Sequence, residues 1–313
     1  ISPRDWSSDV CSSDLGRIER DGPFDSIWIQ PAAGDAGGAL GVAWFVWHQL
    51  LGRPREADGI SDRQEGSFLG PGFTPDEAAS ALSACGAFFE RVADEEALCQ
   101  RVSALLDAQN VVGWFQGKME FGPRALGARS ILADARDATM KNVLNAKIKF
   151  RESFRPFAPA VLRRRVHELF EVPEGFESPY MLVTAPVRGA AAGTFATVAR
   201  GTIDDSGPGM GGPLPAVTHV DGSARIQTVD ERHGRFHRLL EVFAARTGSP
   251  VLVNTSFNIR GEPPVTTPAE AYRCLMATGM DALVVEDCIL LKASQRGMDR
   301  READAYVGSF GVD

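Results

Sequence analysis

The stretch that decides the fold and the site of this chain runs from residue 111 to residue 162: VVGWFQGKMEFGPRALGARSILADARDATMKNVLNAKIKFRESFRPFAPAVL. It begins as an apolar strand, continues through a glycine-containing segment and a helical pattern, and ends at Pro156 and Pro159. Four cationic residues precede Pro156, namely Lys147, Lys149, Arg151 and Arg155. Because the whole chain has a formal net charge of -8, this local set of cations suits a small anionic ligand better than a polyanion. The stretch predicts a phosphate or nucleotide site.

The cations are expected to share one face of an extended segment. Proline disfavours a regular helix here, and in extended chain alternate side chains point the same way, so Lys149, Arg151, Ser153 and Arg155 are expected to point together. Arginine forks bind phosphate oxygens in pairs, and lysine supplies a mobile charge. A surface strip of ion pairs with acidic neighbours explains the same spacing equally well.

The sequence around this stretch predicts an α/β fold. Thr74 followed by Pro75 is typical of a capped helix start, and the apolar spacing over 94–109 predicts a second helix. The run 249–257 predicts a buried strand. Strands are also predicted at 26–30, 111–115, 180–186, on both sides of the turn at 221–222, at 282–285 and at 289–291, and helices at 232–246 and 268–278. Strands and helices intermix without a repeat, which favours a single open sheet with helices.

Composition excludes several classes of protein. The chain has 313 residues, of which 44% are hydrophobic and 24% charged, as in ordinary globular domains. Its acidic balance argues against binding to nucleic acid or to anionic membranes, and no apolar run reaches the length of about 20 residues that a spanning helix needs. The five cysteines form no CxxC pair, which favours reduced thiols and a cytoplasmic location.

Polar residues at the end of the strand at 249–257 are further site candidates. Asn254 and Ser256 lie where ligands usually bind in open α/β sheets, although capping of the next turn explains them equally well. His233 and His237 have the spacing of a helical metal pair, but the arginines around them favour a solvated helix face. The glycine-rich run 207–212 is expected to form a loop over the site.

Four motifs in chain order resemble the C-terminal domain of the NodU/CmcH-type O-carbamoyltransferases. They are GWFQGKMEFGPRALGARSILAD at 113–134, NAKIKFRESFRPFAPAVL at 145–162, HVDGSARIQTV at 219–229 and LVNTSFNIRGEPPVTTPAEA at 252–271. In addition, QPAAGDAGGALG at 30–41 resembles the end of the same family's N-terminal domain.

The resemblance implies a two-domain enzyme. Its C-terminal domain is YrdC-like, an open twisted mixed sheet with helices, and joins carbamoyl phosphate to ATP with Mg²⁺, giving carbamoyl-adenylate and pyrophosphate. Its actin-like (ASKHA) domain passes the carbamoyl group to a hydroxyl of an antibiotic, a nodulation factor or a related small metabolite. The implied partners are therefore carbamoyl phosphate, ATP and a hydroxyl acceptor, without a membrane.

Matching the motifs residue by residue implies the site residues. Lys149, Arg155 and Arg225 are implied as catalytic anion-binding residues of the adenylation site. Arg124, Asn254 and Ser256 are implied to bind substrate or nucleotide. Asp35 matches a metal-ligand aspartate of the actin-like domain, whose Fe²⁺ is also held by two histidines from far upstream.

The resemblance also implies boundaries. Residues 1–15 resemble the translation of a sequencing adapter and are expected to be an artefact. Residues 16–62 are expected to be the end of the actin-like domain, 63–297 the YrdC-like domain, and 298–313 a peripheral tail. On this interpretation the chain is N-terminally truncated, and only the adenylation half-reaction is expected to be complete.

Two other functions stay open on the sequence. YrdC-like folds also occur in tRNA-modifying enzymes, which suggests nucleotide or RNA binding, although the acidic balance weighs against RNA. A nucleotide-binding remnant without catalytic activity is the other alternative.

Overall fold

The computed structural model describes residues 9–23, 27–56, 58, 62, 64–152, 155–190 and 213–310 of the chain. The loop predicted at 207–212 and the side chain of Ser153 lie outside these residues.

One open mixed sheet organises the described part of the chain. The strands are β1 (Glu90–Arg91), β2 (Val112–Phe115), β3 (Arg129–Asp134), β4 (Ala158–Leu162), β5 (Val183–Pro186), β6 (Ser223–Val229), β7 (Val251–Ser256), β8 (Ala282–Val285) and β9 (Cys288–Leu291). They lie in the order β1-β9-β8-β2-β3-β7-β4-β6-β5. The pairs β2–β8 and β4–β6 are parallel, whereas the other neighbours are antiparallel. The predicted α/β class and open sheet are confirmed.

Helices form where the sequence supplies caps. Thr74 and Glu77 make a reciprocal capping box at the start of α3, and Asp94 caps α4 through the N–H of Ala97. The α-helices in the described residues are α1 (Asp9–Asp21), α2 (Asp35–Trp44), α3 (Pro75–Ala84), α4 (Glu95–Asp107), α5 (Met140–Leu144), α6 (Val166–Leu169), α7 (Arg235–Thr247), α8 (Pro268–Ala277) and α9 (Arg300–Gly308). A π-helical turn extends α2 over Phe45–Leu50 and another extends α5 over Asn145–Lys149.

Helices cover both faces of the sheet. Along β7, Val251 and Val253 join a core that also holds side chains of α3, α5 and α8. Leu252 points the other way, into a core shared with α4 and α7. This alternation is the two-residue period of a strand buried on both faces. The sheet is therefore a rigid platform, and β7 runs through its middle.

The two ends of the chain differ from the prediction. Residues 27–30 form no strand, and α1 crosses the boundary expected after residue 15. Along α2 and its π-helical turn no side chain is buried by the described part of the chain, and Trp47 is 52% exposed. At the other end, Tyr306 of α9 packs against the core and its hydroxyl donates to the carboxylate of Glu262. The predicted tail thus forms a helix over 300–308 that contacts the core through Tyr306, although none of its residues is buried.

Among the described residues, none of the helices combines the length and the apolar character that crossing a bilayer requires.

Candidate active site

A cleft of about 140 Å³ lies at the end of the sheet where β7 stops and β3 and β4 begin. The register fixes this edge, because Ser256 of β7 lies opposite Ser130 of β3, and Asn254 lies opposite Ala158 of β4. The cleft is lined by Pro123, Arg124, Ala125, Arg151, Pro156, Phe157, Ala158, Met181, Arg225, Asn254, Thr255 and Ser256. Three arginines from separate parts of the chain thus share one small space with polar groups of β7.

Lys149 lies behind the wall of this cleft. It is 4% exposed, and its Nζ donates to the main-chain oxygens of Ser256 at 2.6 Å and of Asn258 at 2.9 Å. Nζ also lies 2.7 Å from Oδ1 of Asn258 and 3.2 Å from Oγ of Ser256. Ser256 Oγ in turn donates to Asn258 Oδ1 at 2.6 Å. Lys149 therefore fixes the turn after β7 and supports Ser256, which lines the cleft.

The charge of Lys149 is sensitive to its surroundings. Burial, and then the positive charge of Arg151, lower the pKa of Lys149 to about 7. The main-chain and amide oxygens around Nζ act in the opposite direction, because they accept hydrogen bonds from the ammonium. Burial, rather than the groups that Lys149 contacts, is therefore the cause of its lowered pKa.

Arg151 is held at the cleft by two neighbours. Its Nε donates to Oδ1 of Asn145 at 2.8 Å, and its guanidinium carbon lies 4.7 Å from the centre of the Phe157 ring. The Nδ2 of Asn145 donates to the main-chain oxygen of Arg155 at 3.0 Å. Buried Asn145 therefore ties together both ends of the cationic segment.

Arg124 lies on the loop between β2 and β3, which Glu120 shapes from within. The buried carboxylate of Glu120 accepts hydrogen bonds from the N–H groups of Leu126 at 2.8 Å, Ala128 at 2.7 Å and Arg129 at 3.2 Å. Gly127 in the same loop has φ +113°, and a side chain there would meet the ring of Phe236 at 2.2 Å. The loop that presents Arg124 is thus held in one shape by a carboxylate and by a glycine.

Arg225 enters the cleft from β6, beside Thr184 of β5. Its Nη2 lies 4.0 Å from the sulfur of Met181, which also lines the cleft. Asn254 is 1% exposed, and its Nδ2 donates to the main-chain oxygen of Ala125 at 3.1 Å.

The structure brings most of the sequence-predicted residues together. Arg124, Arg225, Asn254 and Ser256 line the cleft, and Lys149 contacts Ser256. Arg155 lies apart from them: its side chain is 50% exposed and its Nε lies 3.2 Å from the carboxylate of Glu152.

The predicted extended conformation is wrong at Lys149 and Phe150. Lys149 ends a π-helical turn, and Phe150 has φ +47°, a left-handed conformation that redirects the chain. Proline restricts the residue before it, so Pro156 acts on Arg155 and leaves the turn at Lys149 free to form. As a result, Lys149 points into the protein and Arg151 reaches the cleft.

The family resemblance assigned no site role to Arg151 or to Asn258. Of the two cations Lys147 and Arg151, Arg151 lines the cleft, whereas Lys147 is exposed. No local signal in the sequence separates Arg151 from Lys147, because the position of Arg151 depends on the π-helical turn that ends at Lys149 and on the left-handed conformation of Phe150.

The described residues contain no complete set of ligands at the predicted metal positions. Asp35 is exposed in the first turn of α2, and no group of three or more His, Cys, Asp or Glu among the described residues could hold a metal ion. The described residues therefore do not fit an iron site.

The histidine pair also differs from its prediction. His233 ends a 3-10 turn, and Gly234 with φ +51° separates it from α7, so the two histidines do not share one continuous helix. His233 is buried beside Asp230, with 6% of its side chain exposed. The prediction of a solvated helix face is wrong for His233, because its ring packs against Phe68.

Comparison with known proteins places these motifs in a family. The family model described as carbamoyltransferase C-terminus matches residues 103–292. The chain is 50% identical to the protein sll1178 of Synechocystis over 92% of this chain and 46% of that protein. It is 39% identical to nodulation protein NolNO of Sinorhizobium fredii, over 88% of this chain and 38% of that protein. It is 35% identical to a 3'-hydroxymethylcephem-O-carbamoyltransferase of Streptomyces clavuligerus, over 85% and 44%.

The resemblance of the four motifs to O-carbamoyltransferases is confirmed by these matches. The chain spans less than half the length of each of these three relatives.

Proposed function

We propose, from the premise that this chain belongs to the carbamoyltransferase C-terminus family, that its cleft forms carbamoyl-adenylate from carbamoyl phosphate and ATP. The observation that carries the proposal is the meeting of Arg124, Arg151 and Arg225 in one cleft of a chain with net charge -8. Both substrates are phosphate anions, and arginine forks bind phosphate oxygens through paired N–H groups.

The proposed reaction consumes one water. Water attacks the phosphorus of carbamoyl phosphate and breaks its bond to the carbamoyl oxygen, which gives carbamate and orthophosphate. An oxygen of carbamate then bonds to the α-phosphorus of ATP, and the bond from that phosphorus to the bridging oxygen breaks. Pyrophosphate leaves with the electron pair. ATP enters as its Mg²⁺ complex, so that this metal belongs to the substrate.

The protein's part in this reaction is electrostatic and positional. Negative charge builds on the oxygens of the leaving group as the bond to the α-phosphorus breaks, and fixed cations stabilise it. Arg151 and Arg124 are suited to this because neighbouring groups hold the segments that carry them, Asn145 and Phe157 for Arg151 and Glu120 for the Arg124 loop. Lys149 adds positive charge from behind Ser256 and keeps that side chain in place.

The second half-reaction is proposed for the longer protein. A hydroxyl oxygen of the acceptor bonds to the carbamoyl carbon, AMP leaves, and the hydroxyl proton passes to a base. One relative is named as carbamoylating a hydroxymethylcephem and another as a nodulation protein. We extend this to an acceptor of the same kind, the hydroxyl of a small metabolite.

The test is exchange of labelled pyrophosphate into ATP, measured with and without carbamoyl phosphate. Exchange that depends on carbamoyl phosphate is expected. Arg151→Ala is expected to lower the rate at least about 100-fold, as loss of a transition-state cation does. The matched control is Arg155→Ala, four residues away, which is expected to lower it less than about threefold because Arg155 is half exposed and paired with Glu152.

Absence of carbamoyl phosphate-dependent exchange in a folded preparation would overturn the proposal. Tight ATP binding in such a preparation would instead favour a nucleotide-binding protein without this activity. A larger loss in Arg155→Ala than in Arg151→Ala would keep the reaction and restore Arg155 as the site residue.

A further inference from the structure

Asn254 carries a buried hydrogen-bond acceptor that has no partner among the described residues. The side chain is 1% exposed and lines the cleft. Its Nδ2 makes two hydrogen bonds, to the main-chain oxygen of Ala125 at 3.1 Å and to Oε1 of Gln227 at 2.7 Å. Its Oδ1 is buried and accepts none.

The orientation of this amide follows from its neighbours. Gln227 is fully buried, and its own Nε2 donates to the main-chain oxygen of Leu126 at 2.8 Å, so that its Oε1 faces Asn254. If the Asn254 amide were turned over, its oxygen would face two acceptors, those of Ala125 and Gln227. The oxygen of Asn254 therefore points away from both, and it is the group that this residue can offer to a ligand.

A buried acceptor without a donor is unfavourable and uncommon in folded proteins, so a donor is expected to complete it. Arginines on the wall of the same cleft are suited to the phosphate end of a ligand. Carbamoyl phosphate carries N–H donors at its other end. An acyl phosphate with a methyl group in that position has the same shape but lacks the donors.

We propose that Oδ1 of Asn254 accepts a hydrogen bond from the amide N–H of the carbamoyl group and thereby selects carbamoyl phosphate over other acyl phosphates. The inference rests on the proposed function and adds the residue that recognises the amide of the carbamoyl group. A site built to hydrogen-bond an N–H rejects an analogue that lacks it, since the polar group of the protein is then left buried and unpaired.

The test compares the dissociation constants of carbamoyl phosphate and acetyl phosphate, measured by calorimetry on the same preparation of the whole chain. The wild-type protein is expected to bind carbamoyl phosphate at least about tenfold more tightly, the ratio that one ordinary hydrogen bond supports. In Asn254→Ala the ratio is expected to fall to within about twofold of one. In the control Ser256→Ala both constants are expected to rise and their ratio to stay near the wild-type value.

The ratio of the two dissociation constants distinguishes the possible outcomes. Because both ligands are measured on one preparation, partial unfolding of a variant reduces the binding of both ligands in the same proportion. The comparison of the two ligands in the wild-type protein requires no variant. Equal affinities in the wild-type protein would overturn the inference and indicate that water completes the acceptor. A wild-type ratio preserved in folded Asn254→Ala would also overturn it. If neither acyl phosphate binds, the proposed function itself fails.

Discussion

Each end of β7 lies beside a buried charged residue, and the two charges have different kinds of partner. At one end, Asp134 of β3 lies opposite Leu252 and is fully buried. At the other end, Lys149 is 4% exposed beside Ser256.

Asp134 is matched by an opposite charge. Arg136 donates from Nε to both oxygens of the carboxylate, at 2.9 and 3.0 Å, and Gln109 adds a bond of 2.8 Å. Among the described residues, Nζ of Lys149 forms its hydrogen bonds with neutral oxygens, those of Ser256 and Asn258. A buried charge with a direct counter-charge completes a structural unit. A buried ammonium that contacts neutral acceptors has no adjacent counter-charge to offset its field, and on the proposed function that field acts on the neighbouring cleft. We infer that the Asp134 end is structural and the Lys149 end functional.

The largest expected effect comes from Lys149→Met, which removes the cation but keeps the length of the side chain. We expect carbamoyl phosphate-dependent exchange to fall at least about 100-fold, equivalent to about 2.7 kcal/mol. The midpoint of thermal unfolding is expected to change little, because the oxygens left without donors are offset by no longer burying an ammonium.

The control for this change is Lys147→Met. Lys147 belongs to the same π-helical turn but is exposed, so exchange is expected to stay within about twofold of the wild-type rate. If Lys149→Met unfolded the protein while the folded fraction exchanged normally, both ends of β7 would be structural and the comparison would fail.

The second effect is on stability and comes from Asp134→Asn. Removing one partner of a buried ion pair costs about 3–5 kcal/mol. Because Arg136 is 33% exposed and retains Asp107, we expect a loss of about 2–3 kcal/mol in the free energy of unfolding. Chemical denaturation measures this loss. The rate of exchange per folded molecule is expected to stay unchanged.

Asp107→Asn is the matched control for Asp134→Asn. The Asp107 side chain is 37% exposed and contacts the same guanidinium at 2.8 Å, so its loss is expected to lower the free energy of unfolding by less than the loss of Asp134 does. A drop in exchange without a drop in stability in Asp134→Asn would contradict the division between the two ends.

Local signals predicted the platform well. The cap at Thr74, the apolar spacing over 94–109 and the apolar run that forms β7 are short-range features, and the structure confirms the elements predicted from them. The segment before Asp221 was predicted as a strand but forms turns, and β6 begins only at Ser223. A local apolar pattern does not establish whether a neighbouring strand is available to pair with it.

The candidate site was less predictable because long-range contacts build it. Asn254 is oriented by Gln227 from another strand, and Lys149 meets a turn 107 residues further along the chain. Neither contact has a local sequence signal. The family resemblance supplied five residues that lie at the cleft or directly behind its wall, but the choice between Arg151 and Arg155 depended on a left-handed residue at 150 that spacing does not show.

The smallest expected effect is on the pH dependence of the free energy of unfolding, and it distinguishes the Lys149 end of β7 from the Asp134 end. Burial lowers the pKa of Lys149 to about 7, whereas an unfolded lysine has its ordinary pKa of about 10.4. Between these values the unfolded chain binds more protons than the folded protein, so the contribution of Lys149 to the free energy of unfolding increases with pH, by up to about 1 kcal/mol between pH 7 and 8. Chemical denaturation at both pH values measures it, and the difference between the wild-type protein and Lys149→Met cancels groups that titrate in both. Asp134→Asn is expected to keep the wild-type slope. Equal slopes in the wild-type protein and Lys149→Met would mean that the surrounding oxygens keep Lys149 protonated at pH 8, and its charge would then be as permanent as that of Arg136 at the opposite end.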